Sequence, residues 1–106
     1  MEIKHINSEN FNEVEDCEYA LVDFFASWCG PCRALAPIFE QVASELDGKC
    51  CLFKADVDEL EEECARLHIM TIPTVILFKN GQEVLRINGL RTKEYIINEV
   101  MNIINN

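Results

Sequence analysis

Three short apolar runs, ALVDFFA (20–26), CLFKADV (51–57) and TVILF (74–78), stand in this chain without clean alternation of apolar and polar residues. A strand with one wet face alternates with a period of two, whereas a strand buried on both faces reads as a continuous run. The three runs therefore predict a sheet with cover on both sides. Helices from the intervening sequence must supply that cover.

Their signals are present. Leu35, Ile38, Phe39, Val42 and Leu46 recur at helical spacing as far as Gly48, which suits a left-handed stop. Leu60, Cys64 and Leu67 mark a shorter helix, and Ile96, Ile97, Val100, Met101, Ile103 and Ile104 mark a long amphipathic one with Thr92 as its N-cap and a frayed INN end. The sequence KNGQ (79–82) lies between TVILF and EVLRI, and Asn-Gly is the preferred pair for a two-residue hairpin turn, so the last two strands are predicted antiparallel. Ser8 is placed to cap an N-terminal helix carrying Phe11 and Val14, after a short strand at Ile3–Ile6. Pro37 removes a hydrogen bond to Arg33 inside the first long helix and is expected to kink it. The order is β-α-β-α-β-α-β-β-α, an α/β arrangement with a mixed sheet. Residues 1–106 carry no repeat, low-complexity segment or linker, so a single domain is expected.

Charge narrows the function. Nineteen acidic against nine basic side chains give a formal charge of -10, with no basic block to neutralise phosphates or anionic lipid. Neither nucleic acid nor a membrane is expected as a partner, and the acidity reads as solubility. The start, MEIKHINSENF, has no apolar leader core, and no stretch approaches the length of a membrane span, which points to a cytoplasmic, reducing location. With 49% hydrophobic residues the core needs no staples, so most of Cys17, Cys29, Cys32, Cys50, Cys51 and Cys64 are expected as free thiols.

Cys29 and Cys32 differ from the rest. Cys29 follows a buried strand and opens a helix, where unpaired N–H groups and the positive end of the dipole favour its thiolate. Cys32, three residues on, is close enough to form a disulfide with it and is more sheltered, so Cys29 attacks and Cys32 resolves. Gly30 admits a target backbone, and Pro31 fixes the first turn where its missing N–H is harmless. The same Cys-x-x-Cys spacing also suits half of a zinc site. The other half is missing: Cys50 and Cys51 point to opposite faces of a strand, and His5 and His68 stand alone. No metal is expected.

The segment WCGPC (28–32) resembles the active-site signature of the thioredoxin family, and the likeness runs along nearly the whole chain through Asp23, Lys54, IPT (72–74), FKNG (78–81) and Gly89. The resemblance implies a thioredoxin fold and a protein-disulfide reductase with no bound cofactor, serving diverse disulfide-containing proteins as a monomer. Recycling would fall to an NADPH-dependent thioredoxin reductase.

Asp23 lies in a strand between Val22 and Phe24, and burial there raises a carboxyl pKa into the range useful for accepting a proton near neutrality. The resemblance assigns Asp23 a proton relay from Cys32, with Lys54 nearby; a purely structural ion pair between strands is the alternative. It also implies a cis Pro73 facing the disulfide and a shallow docking surface made by Trp28, Gly30, Pro31, Ile72, Pro73 and Gly89, bordered by Thr71 and Leu90. Trp28 is expected to be partly exposed. Cys64 reads as core. Regulatory oxidation at Cys17, Cys50 or Cys51 finds no support from neighbouring cations beyond Lys49. Two rival functions stay open. An oxidant or isomerase of the same fold usually carries another dipeptide between the cysteines and a secretory leader, and a non-catalytic module would dock one partner on the apolar patch.

Overall fold

The computed structural model of the protein describes residues 2–106. Five strands, β1 (Ile3–Ile6), β2 (Tyr19–Phe25), β3 (Cys51–Asp56), β4 (Thr74–Lys79) and β5 (Gln82–Asn88), form one sheet in the order β1-β3-β2-β4-β5. β3 runs parallel to β1 and to β2, while β4 is antiparallel to β2 and to β5. The helices are α1 (Gly30–Glu45), α2 (Glu61–Arg66) and α3 (Lys93–Ile104), with 3-10 turns at Phe11–Asp16 and Val57–Glu59.

β2 lies at the centre of the sheet and is buried from Tyr19 to Phe24. Its odd-numbered residues face α1 and α3, where Leu21 packs with Leu35, Phe39, Val42, Ile96 and Val100. Its even-numbered residues Ala20, Val22 and Phe24 face the other layer, with Val14, Leu60, Cys64 and Phe53. The unbroken apolar run in the sequence follows directly from these two cores. Each large side chain taken fully out of water contributes roughly 1.5–3 kcal/mol.

The β4–β5 hairpin turns on Asn80 (φ 50°) and Gly81 (φ 84°), the two left-handed residues that an Asn-Gly turn requires. Gly81 is also fixed by contact, because a Cβ there would come within 2.8 Å of Glu15 Cγ. The Thr92 hydroxyl accepts from the Tyr95 N–H at 3.1 Å and caps α3 as the sequence predicts. Thr92→Ala is expected to cost about 1 kcal/mol, read as a fall in Tm of about 4–8 °C.

Three expectations need correction. The N-terminal helix is a 3-10 turn whose N-cap, Asn10, makes no side-chain cap bond, and Ser8 lies before it without capping it. Asn7 and Asn10 hold the preceding loop instead: Asn10 Oδ1 accepts from the Asn7 N–H at 2.7 Å, and Asn7 Oδ1 accepts from the Glu9 N–H at 2.9 Å. Gly48 does take a left-handed φ of 82°, but α1 has already ended at Glu45 with Leu46 as its C-cap. Most of the cysteines, finally, are not free. Cys17 is bonded to Cys51 and Cys29 to Cys32, which leaves only Cys50 and Cys64 as thiols. The first pairing arises because the 3-10 turn folds back on the face of β3 that carries Cys51 and Phe53, bringing two Cα atoms 34 residues apart in sequence to 6.4 Å.

Candidate active site

β2 hands the chain directly to α1. After Phe25 the backbone crosses Ala26–Trp28 and reaches Cys29, the N-cap of α1, in an extended conformation with φ -95° and ψ 117°. Its Sγ accepts from the Cys32 N–H at 3.2 Å, so one of the orphan donors of the helix points at the sulfur. The same interaction stabilises negative charge on Cys29 once the disulfide opens. Cys29 and Cys32 lie 5.2 Å apart at Cα, inside the range a disulfide needs. Both are buried, in a small cluster with Ala26, Phe25, Val57 and Ile72.

The far wall is the start of β4. The Ile72–Pro73 peptide is cis, and Cys29 Sγ lies 3.9 Å from the Ile72 carbonyl oxygen. The Gly89 N–H donates to the Pro73 carbonyl at 2.8 Å, with Gly89 at a φ of 84° that favours glycine. Thr74 Oγ1 donates to the Thr71 carbonyl at 2.6 Å and lies 3.2 Å from Asn88 Oδ1, which ties the Thr71–Pro73 bend to β5. Gly30, Pro31 and Thr71 are exposed around the sulfurs, and Trp28 is 66% exposed.

Trp28 is nonetheless held, since its Nε1–H donates to Asp58 Oδ2 at 2.9 Å, and the Asp58 N–H in turn donates to Asp56 Oδ1 at 2.9 Å. Asp58 was not legible from sequence as a site residue. It lies in the acidic stretch DVDELEEE, where nothing separates it from its neighbours as a solvated charge.

Asp23 occupies the odd-numbered face of β2, so its side chain points toward the α1 layer that carries Cys32. Neither carboxylate oxygen has a hydrogen-bond partner, and the residue is fully buried. Lys54, opposite Asp23 in the β2–β3 register, brings Nζ to 3.8 Å from Oδ2 and lies 4.4 Å above the Phe25 ring. This is a long ion pair rather than a hydrogen bond. Burial pushes the Asp23 carboxyl up to about 6, and the Lys54 charge opposes the rise. The structure thus brings Cys29, Cys32 and Ile72 into one cluster, with Pro73 buried next to Ile72, Gly89 bonded to Pro73, Trp28 exposed beside Cys29, and Asp23 and Lys54 in the sheet behind α1. Among the described residues, no group of three His, Cys, Asp or Glu side chains is placed to hold a metal ion.

A family profile for thioredoxin matches residues 2–102. Among curated relatives, the chain is 46% identical over 96 residues to a thioredoxin of Chlamydia pneumoniae, covering 91% of this chain and 93% of that one. It is 43% identical over 94 residues to a thioredoxin of Staphylococcus haemolyticus, covering 89% and 90%. Among solved structures, chloroplastic thioredoxin z superposes with a TM-score of 0.84 at 34% identity, covering 99% of this chain and 96% of that one. A mutant thioredoxin from Halobacterium salinarum also gives 0.84, at 28% identity over 95% and 89%. With its cysteine pair bonded at the strand-to-helix junction and this likeness over almost its full length, the chain belongs to the thioredoxin family of disulfide oxidoreductases.

Proposed function

We propose that the protein reduces disulfides in other proteins, with Cys29 as nucleophile, Cys32 as resolving thiol and Asp23 as the group that takes the Cys32 proton. The observation that carries this reading is the Cys29 sulfur at the N-cap of α1, 3.2 Å from the Cys32 N–H and 3.9 Å from the Ile72 carbonyl beside Pro73. In the reduced protein, Cys29 thiolate attacks one sulfur of the target disulfide and expels the other as a thiolate, leaving a mixed disulfide. Cys32, deprotonated with the help of Asp23, then attacks Cys29 Sγ and releases the second target sulfur. Two electrons pass to the target, and Cys29–Cys32 ends oxidised.

Docking falls to Trp28, Gly30, Pro31, Thr71, Ile72, Pro73 and Gly89, whose backbone bend suits an extended target segment. Lys54 limits how far the Asp23 carboxyl rises, which keeps it able to cycle near neutral pH. Electrons return through a thioredoxin reductase drawing on NADPH, and the chain acts as a monomer in the cytoplasm. No helix among the described residues is long and apolar enough to cross a membrane.

The test couples reduction of a protein disulfide to NADPH through a thioredoxin reductase. One NADPH is expected per target disulfide, and Trp28→Ala is expected to raise KM several-fold with kcat nearly unchanged, as for loss of uniform binding. Partner binding that survives intact in a Cys29→Ser, Cys32→Ser double variant, without any NADPH consumption by the parent, would replace the reductase reading with a docking module.

A further inference from the structure

The mechanism above leaves a whole disulfide unused. Cys51 opens β3 opposite Ala20 near the start of β2, whereas Cys29 follows the end of β2. At about 3.3 Å per residue the two disulfides lie roughly 20 Å apart, at opposite ends of the sheet. Their surroundings are opposite as well.

Cys29 is the N-cap of a 16-residue helix. Cys17 is the C-cap of the 3-10 turn, at the end whose carbonyls disfavour negative charge. The recess beside Cys17 and Cys51 is lined by Glu2, Glu13, Asp16 and Asp47 with Lys4, and the adjoining one by Glu18 with Lys49. Lys4 is paired with Glu13, and beyond that pair Glu2, Asp16 and Glu18 outnumber Lys49 around the two recesses. Cys51 is exposed and Cys17 half-buried, so the bond is within reach of a small thiol.

We propose that Cys17–Cys51 is a second redox couple that stays oxidised while Cys29–Cys32 cycles, opened slowly by anionic thiols and faster by cationic ones. Opening begins when an incoming thiolate attacks Cys51 Sγ and expels Cys17 as a thiolate, and a second thiolate then releases Cys51, so that two external thiols become one external disulfide. Both the approaching anion and the leaving thiolate meet these recesses, where Lys49 is outnumbered by Asp16 and Glu18 and Cys17 stands at the C-terminal end of its turn. The adjacent Cys50 is no internal attacker: it packs against the α1 and α3 core, and burial pushes its thiol up to about 11, so it remains protonated. While closed, the bond ties the 3-10 turn to β3 across a separation of 34 residues and stabilises the fold independently of catalysis.

The test treats the fully oxidised chain with cysteamine or with 2-mercaptoethanesulfonate at equal thiolate concentration and low salt. Acid quenching, alkylation and peptide mass spectrometry then follow each cysteine. Cys29 and Cys32 are expected to open first with either thiol, and Cys17 and Cys51 at least about tenfold more slowly. Cysteamine should be favoured several-fold at Cys17–Cys51, and 1 M salt should erase most of that preference. In parallel, a Cys17→Ser, Cys51→Ser variant is expected to melt about 10 °C below the oxidised parent while keeping the parent rate of disulfide reduction. Cys17 and Cys51 labelled in untreated protein, labelled as fast as Cys29 and Cys32, or opened without regard to the charge of the thiol would overturn the proposal. These rates are read on the unmodified chain, so the result stands even where the variant fails to fold. Loss of reductase activity in the proposed function would leave them unaffected.

Discussion

Cys29→Ser is expected to abolish turnover of protein disulfides, a loss of at least about a thousandfold, because no other sulfur lies at the N-cap of α1 to make the first attack. Cys32→Ser is expected to fail differently. Its Cys29 thiolate still attacks, but nothing resolves the mixed disulfide, so a one-to-one covalent adduct accumulates and releases its target on adding dithiothreitol. Intact-mass spectrometry separates the two outcomes. Normal multiple turnover by Cys32→Ser would mean that the roles are assigned to the wrong residues.

Asp23→Asn carries the second large effect, and its sign depends on pH. The Asp23 carboxyl is raised from 3.8 to about 6 in the fold, so the folded chain holds its proton more tightly than the unfolded one does. The stability linked to this group is therefore full below about pH 4 and is lost as pH rises through about 6. Above that, the buried carboxylate, net of its attraction to Lys54, costs about 3 kcal/mol. Asn, like the protonated carboxyl, has no charge to bury and makes no ion pair with Lys54, so the variant resembles the parent as it stands at low pH. The variant is expected to be about 1–3 kcal/mol more stable than the parent at pH 8 and about equal to it below pH 4, measured by urea unfolding across that range. The same substitution should slow release of the target from the mixed disulfide between pH 6 and 8. Equal stabilisation at pH 4 and pH 8, or unchanged release, would remove Asp23 from the proton path.

The architecture was legible where sequence and burial speak the same language. β2 reads as an uninterrupted run because Leu21 and Val22 enter different cores, and Asn80-Gly81 and Thr92 announce the hairpin and the α3 cap through local chemistry alone. The Cys29–Cys32 pair was legible because its spacing is local, and the burial of Asp23 because a carboxylate is out of place in a strand. What escaped is long-range or ambiguous. The adjacency of Cys50 and Cys51 predicts opposite faces, and the structure has Cys50 against the core and Cys51 outward, but nothing near Cys51 in the chain names Cys17 as its partner. The 3-10 turn at Phe11–Asp16 differs from the helix that the sequence predicts because Phe11 and Val14, three residues apart, suit an α-helix and a tighter turn equally. Asp58 was hidden among other acids until the fold set it against Trp28.

The most direct measurement is the equilibrium reduction potential of Cys29–Cys32, read peptide by peptide in redox buffers so that Cys17–Cys51 is followed separately. A potential more negative than a glutathione pool at about -220 to -260 mV is predicted, because only then do electrons flow outward to target disulfides. A potential well above that pool would mean that the pair prefers to be reduced, and the protein would then oxidise or rearrange disulfides instead of reducing them.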